Sequence, residues 1–402
     1  MEMRRFRDAL IVSGLFVLST PAGLEIEMLK KEAATGRPEA QFAQFDLGVA
    51  FEKGEGVEQD WKQAAAWYRK AAEQNHPEAQ FALGRCYANG TGVVQNNELA
   101  FDWTLKAADQ YFAPAQLSLG TSYEKGRFGQ EQDAEKAVLW VRRAAGQGYA
   151  GAQFTLGKYY ALGIGVDTDS KKAVEWFLRA ADQDHLSAQL TIARNFKSWS
   201  AYLSNNEKAV GHLLRMAGQG DSKSQLNAGI YYRNRGSNDQ DLEEAIKWLQ
   251  LSGQQGNVAA NKLLAHHYLN GIGVEINREQ AVRFYTAAAD AGDTESQEML
   301  GLIYAQEEDF EKSVEWYVFA AKNGRTQSQI KCISIYGIGL GVECDRVEAY
   351  AWALVLSDGG EDAHKKKLEP LLSANEKAKA YKRYWVLLKE IKSAKQASEK
   401  RS

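Results

Sequence analysis

The chain has 402 residues, 45% hydrophobic and 25% charged, with five prolines and three cysteines. That balance suffices for a large buried core and excludes a disordered, collagenous or disulfide-framed protein. The formal charge of −3 hides an uneven distribution: residues 364–402 hold ten Lys and two Arg against four Glu, +8, which leaves −11 elsewhere and makes the body a poor nucleic-acid binder.

At the amino terminus Arg4, Arg5 and Arg7 precede an apolar run from Ala9 to Leu18, and Thr20 and Ala22 supply the small residues of a cleavage site. Residues 1–22 read as a secretory signal peptide. The run is too short to span a bilayer, which needs about 20 apolar residues; an uncleaved amphipathic anchor or an ordinary first helix are the alternatives. Residues 23–37, with Leu29, Ala33 and Gly36, read as a half-repeat capping the array.

From there one pattern governs the chain. An amide preceded by a small residue recurs at Gln44, Gln80, Gln116, Gln153, Gln189, Gln225, Asn261, Gln297 and Gln329, and a bulky residue keeps step at Trp67, Trp103, Trp140, Trp176, His212, Trp248, Phe284, Trp316 and Trp352. A period near 36 predicts a solenoid of nine repeats over residues 38–362, each burying its apolar face against its neighbours. In each repeat the amide sits on a first helix with apolar or small residues three, four and seven positions later. A Gly-x-Gly-Val loop follows, as at Gly90 to Val93, then a second helix that starts near a polar residue and bears the tryptophan and a small pair such as Ala71-Ala72. The tryptophan is expected to fill the space between helices.

Two repeats depart from the pattern, one with Lys197 to Ser204 in place of the glycine loop, the next with Arg233 to Asn238. Residues 363–402 read as basic capping helices and a tail, with Trp385, Leu387, Leu388 and Ile391 expected to cover the last repeat.

The unit small-Gln-x-x-Leu-Gly-x-x-Tyr, Gly-x-Gly-Val, Ala-x-x-Trp-x-x-x-Ala-Ala resembles the Sel-one-like repeat, a relative of the tetratricopeptide repeat. The resemblance covers roughly residues 36–358. It implies an all-α, right-handed superhelix of paired antiparallel helices that acts as a protein-binding scaffold, often exported in bacteria and tied to envelope assembly, signalling or host contact.

In a helix-pair solenoid the free face of the first helix lines the concave groove. Positions two, five, six and nine after the amide therefore yield candidate partner contacts: Arg85, Asn89, Lys158, Tyr159, Arg194, Asn195, Asn227, Tyr231, Asn234, His266, His267 and Asn270. Trp199, Tyr202, Arg233 and Arg235 in the atypical loops are read as one rim of that groove. The six histidines assemble no nucleophile–base–acid set, His266 and His267 are too divergent on a helix to chelate one metal, and the Gly-x-Gly loops lack the strand that dinucleotide binding needs. The expectation is therefore a scaffold that is not an enzyme, without catalytic residues, metal or cofactor. It is expected to be periplasmic or secreted, a monomer or weak dimer, with a protein partner, no nucleic acid and no membrane span after processing. An envelope or cytoplasmic regulator tethering a signalling or polysaccharide-synthesis complex is the alternative; a peptidoglycan-fragment binder or hydrolase is the third reading.

Overall fold

The computed structural model describes residues 22–236, 238–358 and 363–399, so the expected signal peptide lies, except for Ala22, outside the described residues. Those residues form helices and turns and contain no strand. Helix α1 (Ala22–Ala33) precedes nine helix pairs. They are α2 (Ala40–Lys53) with α3 (Trp61–Glu73), α4 (Pro77–Asn89) with α5 (Asn97–Asp109), α6 (Ala113–Lys125) with α7 (Ala134–Gly146), and α8 (Ala150–Leu162) with α9 (Ser170–Ala181). In the fifth pair the short α11 (Ser200–Leu203) stands between α10 (Leu186–Asn195) and α12 (Glu207–Gly218). The remainder are α13 (Ser222–Arg235) with α14 (Asp239–Gln254), α15 (Val258–Asn270) with α16 (Arg278–Asp290), α17 (Thr294–Gln306) with α18 (Phe310–Lys322), and α19 (Thr326–Ile338) with α20 (Arg346–Leu356). Helix α21 (Ala363–Leu368), a 3₁₀ turn (Glu369–Leu371) and α22 (Ala374–Glu399) close the chain. The chain divides into two compact units between Ile192 and Ala193. The fold is an all-α solenoid of helix-pair repeats.

Second helices start where a short polar side chain can take up an orphan N–H of the first turn. Asp60, Asn96, Asp133, Asp169, Asn206, Asn238, Asn277, Asp309 and Asp345 all do so, each contact stabilising its helix by about 1 kcal/mol. Seven of the nine first helices end on a glycine in the left-handed region: Gly54, Gly90, Gly126, Gly163, Gly236, Gly271 and Gly339. Gly90 has φ +70° and its N–H returns to the Cys86 carbonyl, a conformation that suits glycine. The second loop glycine has a steric role as well: a Cβ on Gly92 would lie 1.9 Å from the Trp61 carbonyl oxygen, so this loop rests on the start of the preceding repeat's second helix.

The core corrects one expectation. The tryptophan column is mostly half-buried, and the fully enclosed residue is its successor: Tyr68, Phe177, Leu213 and Leu249 are 0–2% exposed, while Trp67, Trp103, Trp176 and Trp248 keep an open edge. Those open rings carry cations. Lys70 Nζ stands 3.9 Å from the Trp67 ring centre, Lys106 Nζ 4.2 Å from Trp103, and the Arg179 guanidinium 4.4 Å from Trp176. The enclosed successor packs onto the glycine four residues after the marker amide, as Tyr68 does on Gly48 and Phe177 on Gly157. In the last repeat the sizes are exchanged, with Ile333 in the glycine position and Ala353 in the aromatic one, so the same volume is filled from the opposite side.

The marker amides are buried because they join repeats. Gln80, Gln116, Gln225 and Gln297 each donate through Nε2 to a carbonyl at the end of the preceding second helix, at Ala72, Ala108, Ala217 and Ala289, over 3.0–3.2 Å. Their Oε1 atoms accept from an amide at the end of their own repeat's second helix: Gln110 to Gln80, Gln147 to Gln116 and Gln255 to Gln225, each at 2.7 Å. An amide ladder thus adds a donor from the next repeat to carbonyls that already accept a turn N–H, as Ala72 does from Asn75 and Ala108 from Tyr111, and so ties neighbouring repeats together.

At the carboxyl end α22 covers the last repeat with Ala380, Tyr384, Leu387 and Ile391, which share a cluster with Tyr350 and Trp352. Trp385, expected in that cover, is instead 66% exposed and points away.

Candidate partner-binding surface

The outward rows of the first helices are set by the wheel: with three, four and seven residues after the amide turned inward, positions five and nine face solvent. In the unit ending at Ile192 this places Arg85 and Asn89 of α4 and Lys158 of α8 on the surface. Arg85 Nη2 also reaches Glu52 Oε1 of the preceding repeat at 3.2 Å. Tyr159 is a correction. It is fully buried, and its hydroxyl donates to Glu124 in the preceding repeat over 3.1 Å; burial, with Glu124 beside it, pushes that phenol well above its usual range. The sixth position faces the neighbouring first helix rather than solvent, which also buries Cys86 and His267.

In the unit beginning at Ala193 several candidates are held by the fold. Arg194 Nε and Nη2 lie 2.9 and 2.5 Å from Asp221 Oδ1, and the other oxygen of Asp221 caps α13 by accepting from the Ser224 N–H and hydroxyl. Burial works to raise the Asp221 carboxyl, but Arg194 and Ser224 outweigh it and hold it below the usual range. Arg194 is thus a clamp between repeats and not a free groove residue. Lys262 bridges to Asp293 at 3.3 Å and Glu295 at 2.5 Å, and Arg325 to Glu298 at 2.7 Å, clamping later repeats. Asn227 is buried and donates to the Ala193 carbonyl over 2.7 Å. Tyr231, half-buried, meets Phe196 edge-on at 5.6 Å, and Asn195 and Trp199 are half-buried as well.

What stays outward there is a group at the carboxyl ends of α13 and α15. Arg233 is half-buried, and Asn234, Arg235, His266 and Asn270 are exposed. Arg235 Nε sits 3.5 Å from the buried Asp241 carboxylate, and Asn270 donates to the His266 carbonyl over 2.8 Å. His267 turns inward, its Nδ1 2.7 Å from the Ile272 carbonyl oxygen; burial lowers its pKa, and the nearby charges of Arg233 and His266 push it the same way. Tyr202 is exposed on α11, the helix that replaces the glycine loop.

An open cleft of about 770 Å³ in the first unit is lined by residues outside the candidate contacts, among them Lys30, Phe51, Asp60, Trp61 and Gly92. Among the described residues no group of three or more His, Cys, Asp and Glu is placed to hold a metal ion, and no helix is long and apolar enough to cross a membrane. Cys86 and Cys332 are buried free thiols, and burial pushes Cys332 up to about 12. The surface offers charge, amides and imidazole for contact.

The Sel1 repeat model matches residues 41–76, 77–112, 113–149, 150–185, 222–257, 258–293 and 294–324. Of the nine helix pairs, the unmatched ones are the atypical fifth and the last. Among solved structures, a protective antigen present in uropathogenic Escherichia coli strains, displaying an SLR fold, is 27% identical with a TM-score of 0.58, covering 93% of this chain and 97% of that one. A Sel1 repeat protein from Oxalobacter formigenes is 28% identical with a TM-score of 0.41, covering 75% and 89%. No curated protein matches the chain. With most of its repeats matched one after another, the chain belongs to the Sel1 repeat family, whose members generally serve as protein-interaction scaffolds.

Proposed function

We propose that this protein is an exported, non-catalytic scaffold that binds a protein partner through the outward carboxyl ends of its first helices. The observation that carries the reading is the group Arg233, Asn234, His266 and Asn270: the carboxyl ends of two adjacent first helices bring cation, amide and imidazole to one surface, whereas Arg194, Lys262 and Arg325 are held in ion pairs between repeats. Arginine and adaptable polar groups of this kind anchor protein interfaces. Export rests on the Arg-rich start, apolar run and small residues of residues 1–22. The likeness to an antigen described as protective supports a location that antibodies reach.

Two measurements test this. The amino-terminal residue of the protein recovered from its native cell should lie just after Ala22, and intact Met1 on cytoplasmic protein would overturn the export reading. A partner captured by the unmodified chain should bind the Arg233→Glu, His266→Ala, Asn270→Ala variant at least about tenfold more weakly. Equal binding would remove this surface from the interaction.

A further inference from the structure

The outer face of α22 contradicts what a cap is for. A terminal helix normally presents a polar exterior that ends the array in water, yet Trp385 is 66% exposed, Val386 47% and Tyr381 43%. Around them on the same solvent side stand the exposed Lys379, Lys382, Lys389 and Lys392. At 100° per residue, Tyr381, Lys392, Trp385, Lys389 and Lys382 fall within about 100° of arc. No Asp or Glu occurs between Lys377 and Lys389. The helix's nearby acids are turned to other work. Glu376 accepts from the Ser373 N–H at 2.8 Å and hydroxyl at 2.6 Å, and Glu390 pairs with Lys322 at 3.0 Å and Arg383 at 3.2 Å.

We propose that this face of α22 docks the protein peripherally on the anionic surface of a phospholipid bilayer. The face is the convex side of one helix and is suited to a plane. Indole and phenol rings settle at the boundary between headgroups and acyl chains, while lysine stems lie along the apolar surface and place their ammonium groups among anionic headgroups. Charge complementarity selects this end of the chain: residues 364–402 carry +8, and the remaining −11 is repelled by the same membrane. This surface is separate from the partner-binding one and does not depend on it.

The test is sedimentation of the full chain with vesicles of phosphatidylcholine alone, and with vesicles in which about a quarter of the lipid is phosphatidylglycerol. The expected result is binding to the second kind only, falling as salt rises, and weakened at least about tenfold by Trp385→Ser with Lys382→Glu and Lys389→Glu. Trp385→Ala alone, at so exposed a site, keeps the helical spectrum and weakens binding in the same direction. Failure to sediment with anionic vesicles overturns the proposal. So does undiminished binding by the variants, which would assign the membrane contact to another segment such as residues 1–22, and so does binding to polyglutamate without binding to vesicles.

Discussion

Phe177 occupies the space that a side chain on Gly157 would need: a Cβ there would lie 2.8 Å from two of its ring carbons. The phenylalanine is 2% exposed, whereas its neighbour Trp176 is half-buried under Arg179. Phe177→Ala is therefore expected to cost about 3–5 kcal/mol, and Trp176→Ala only about 1–2 kcal/mol, the loss of partial burial and of the cation contact. Urea unfolding followed by helical circular dichroism measures both, and an equal or reversed order would return the tryptophan to the centre of the core.

Two glycines in comparable conformations should respond differently to alanine. Gly92 and Gly129 have φ +72° and +74°, but a Cβ on Gly129 meets nothing within 4 Å, whereas on Gly92 it meets the Trp61 backbone. Gly129→Ala should cost about 1–2 kcal/mol, the left-handed penalty alone. Gly92→Ala adds overpacking against backbone and should cost about 3–5 kcal/mol.

His76 gives the fold a pH dependence. It is 4% exposed, stacks on Phe45 at 4.9 Å, and accepts the Ala79 N–H through Nδ1 at 3.3 Å to cap α4. Burial lowers its pKa from the ordinary 6.5, against the opposing pull of Glu78 and Asp46. As pH falls below about 6.5 the unfolded chain takes up the proton before the folded one, so this contribution to stability is whole above that value and shrinks below it. His267 acts in the same sense. His76→Asn, which reproduces the cap that Asn257 makes on α15, should flatten the fall in melting temperature between about pH 7 and 5.5. An unchanged slope would place the dependence elsewhere.

The amide ladder predicts coupling. Gln116→Ala removes two hydrogen bonds between helices, to the Ala108 carbonyl and from the Gln147 amide, leaving these groups only the Tyr111 N–H and the Arg143 carbonyl within their own turns, and should cost about 1–3 kcal/mol. A double-mutant cycle with Gln147→Ala should return a coupling of about 0.5–2 kcal/mol. Additive losses would mean that water replaces the contact without penalty.

Repeat boundaries and helix caps were legible because they are local: an Asp or Asn before a helix and a glycine after it act within a few residues. The sequence places the buried column one residue early, since Trp176 and Phe177 are both large aromatics bordering the apolar face and only the close approach to Gly157 marks the second as the enclosed one. Tyr159 was misread because its environment belongs to Glu124 of another repeat. Arg194 looked free because Asp221, 27 residues on, comes beside it only in the folded chain. The second ladder column did leave a signal, an amide 30 or 31 residues after the marker at Gln74, Gln110, Gln147, Gln183 and Gln255. It went unread because it has no packing role that hydrophobic periodicity would reveal.

That ladder bears on how such a chain changes length. Each rung needs one donor from the repeat's own closing amide and one acceptor eight residues behind the marker, at the end of the preceding repeat, so every rung joins two neighbours and the arrangement recurs with the period. A duplication or deletion of one period in the gene, wherever the cut falls within it, rejoins matching partners on both sides of the seam, while a change of half a period strands a buried amide. Growth and shrinkage by whole units are thereby the inexpensive moves open to this lineage.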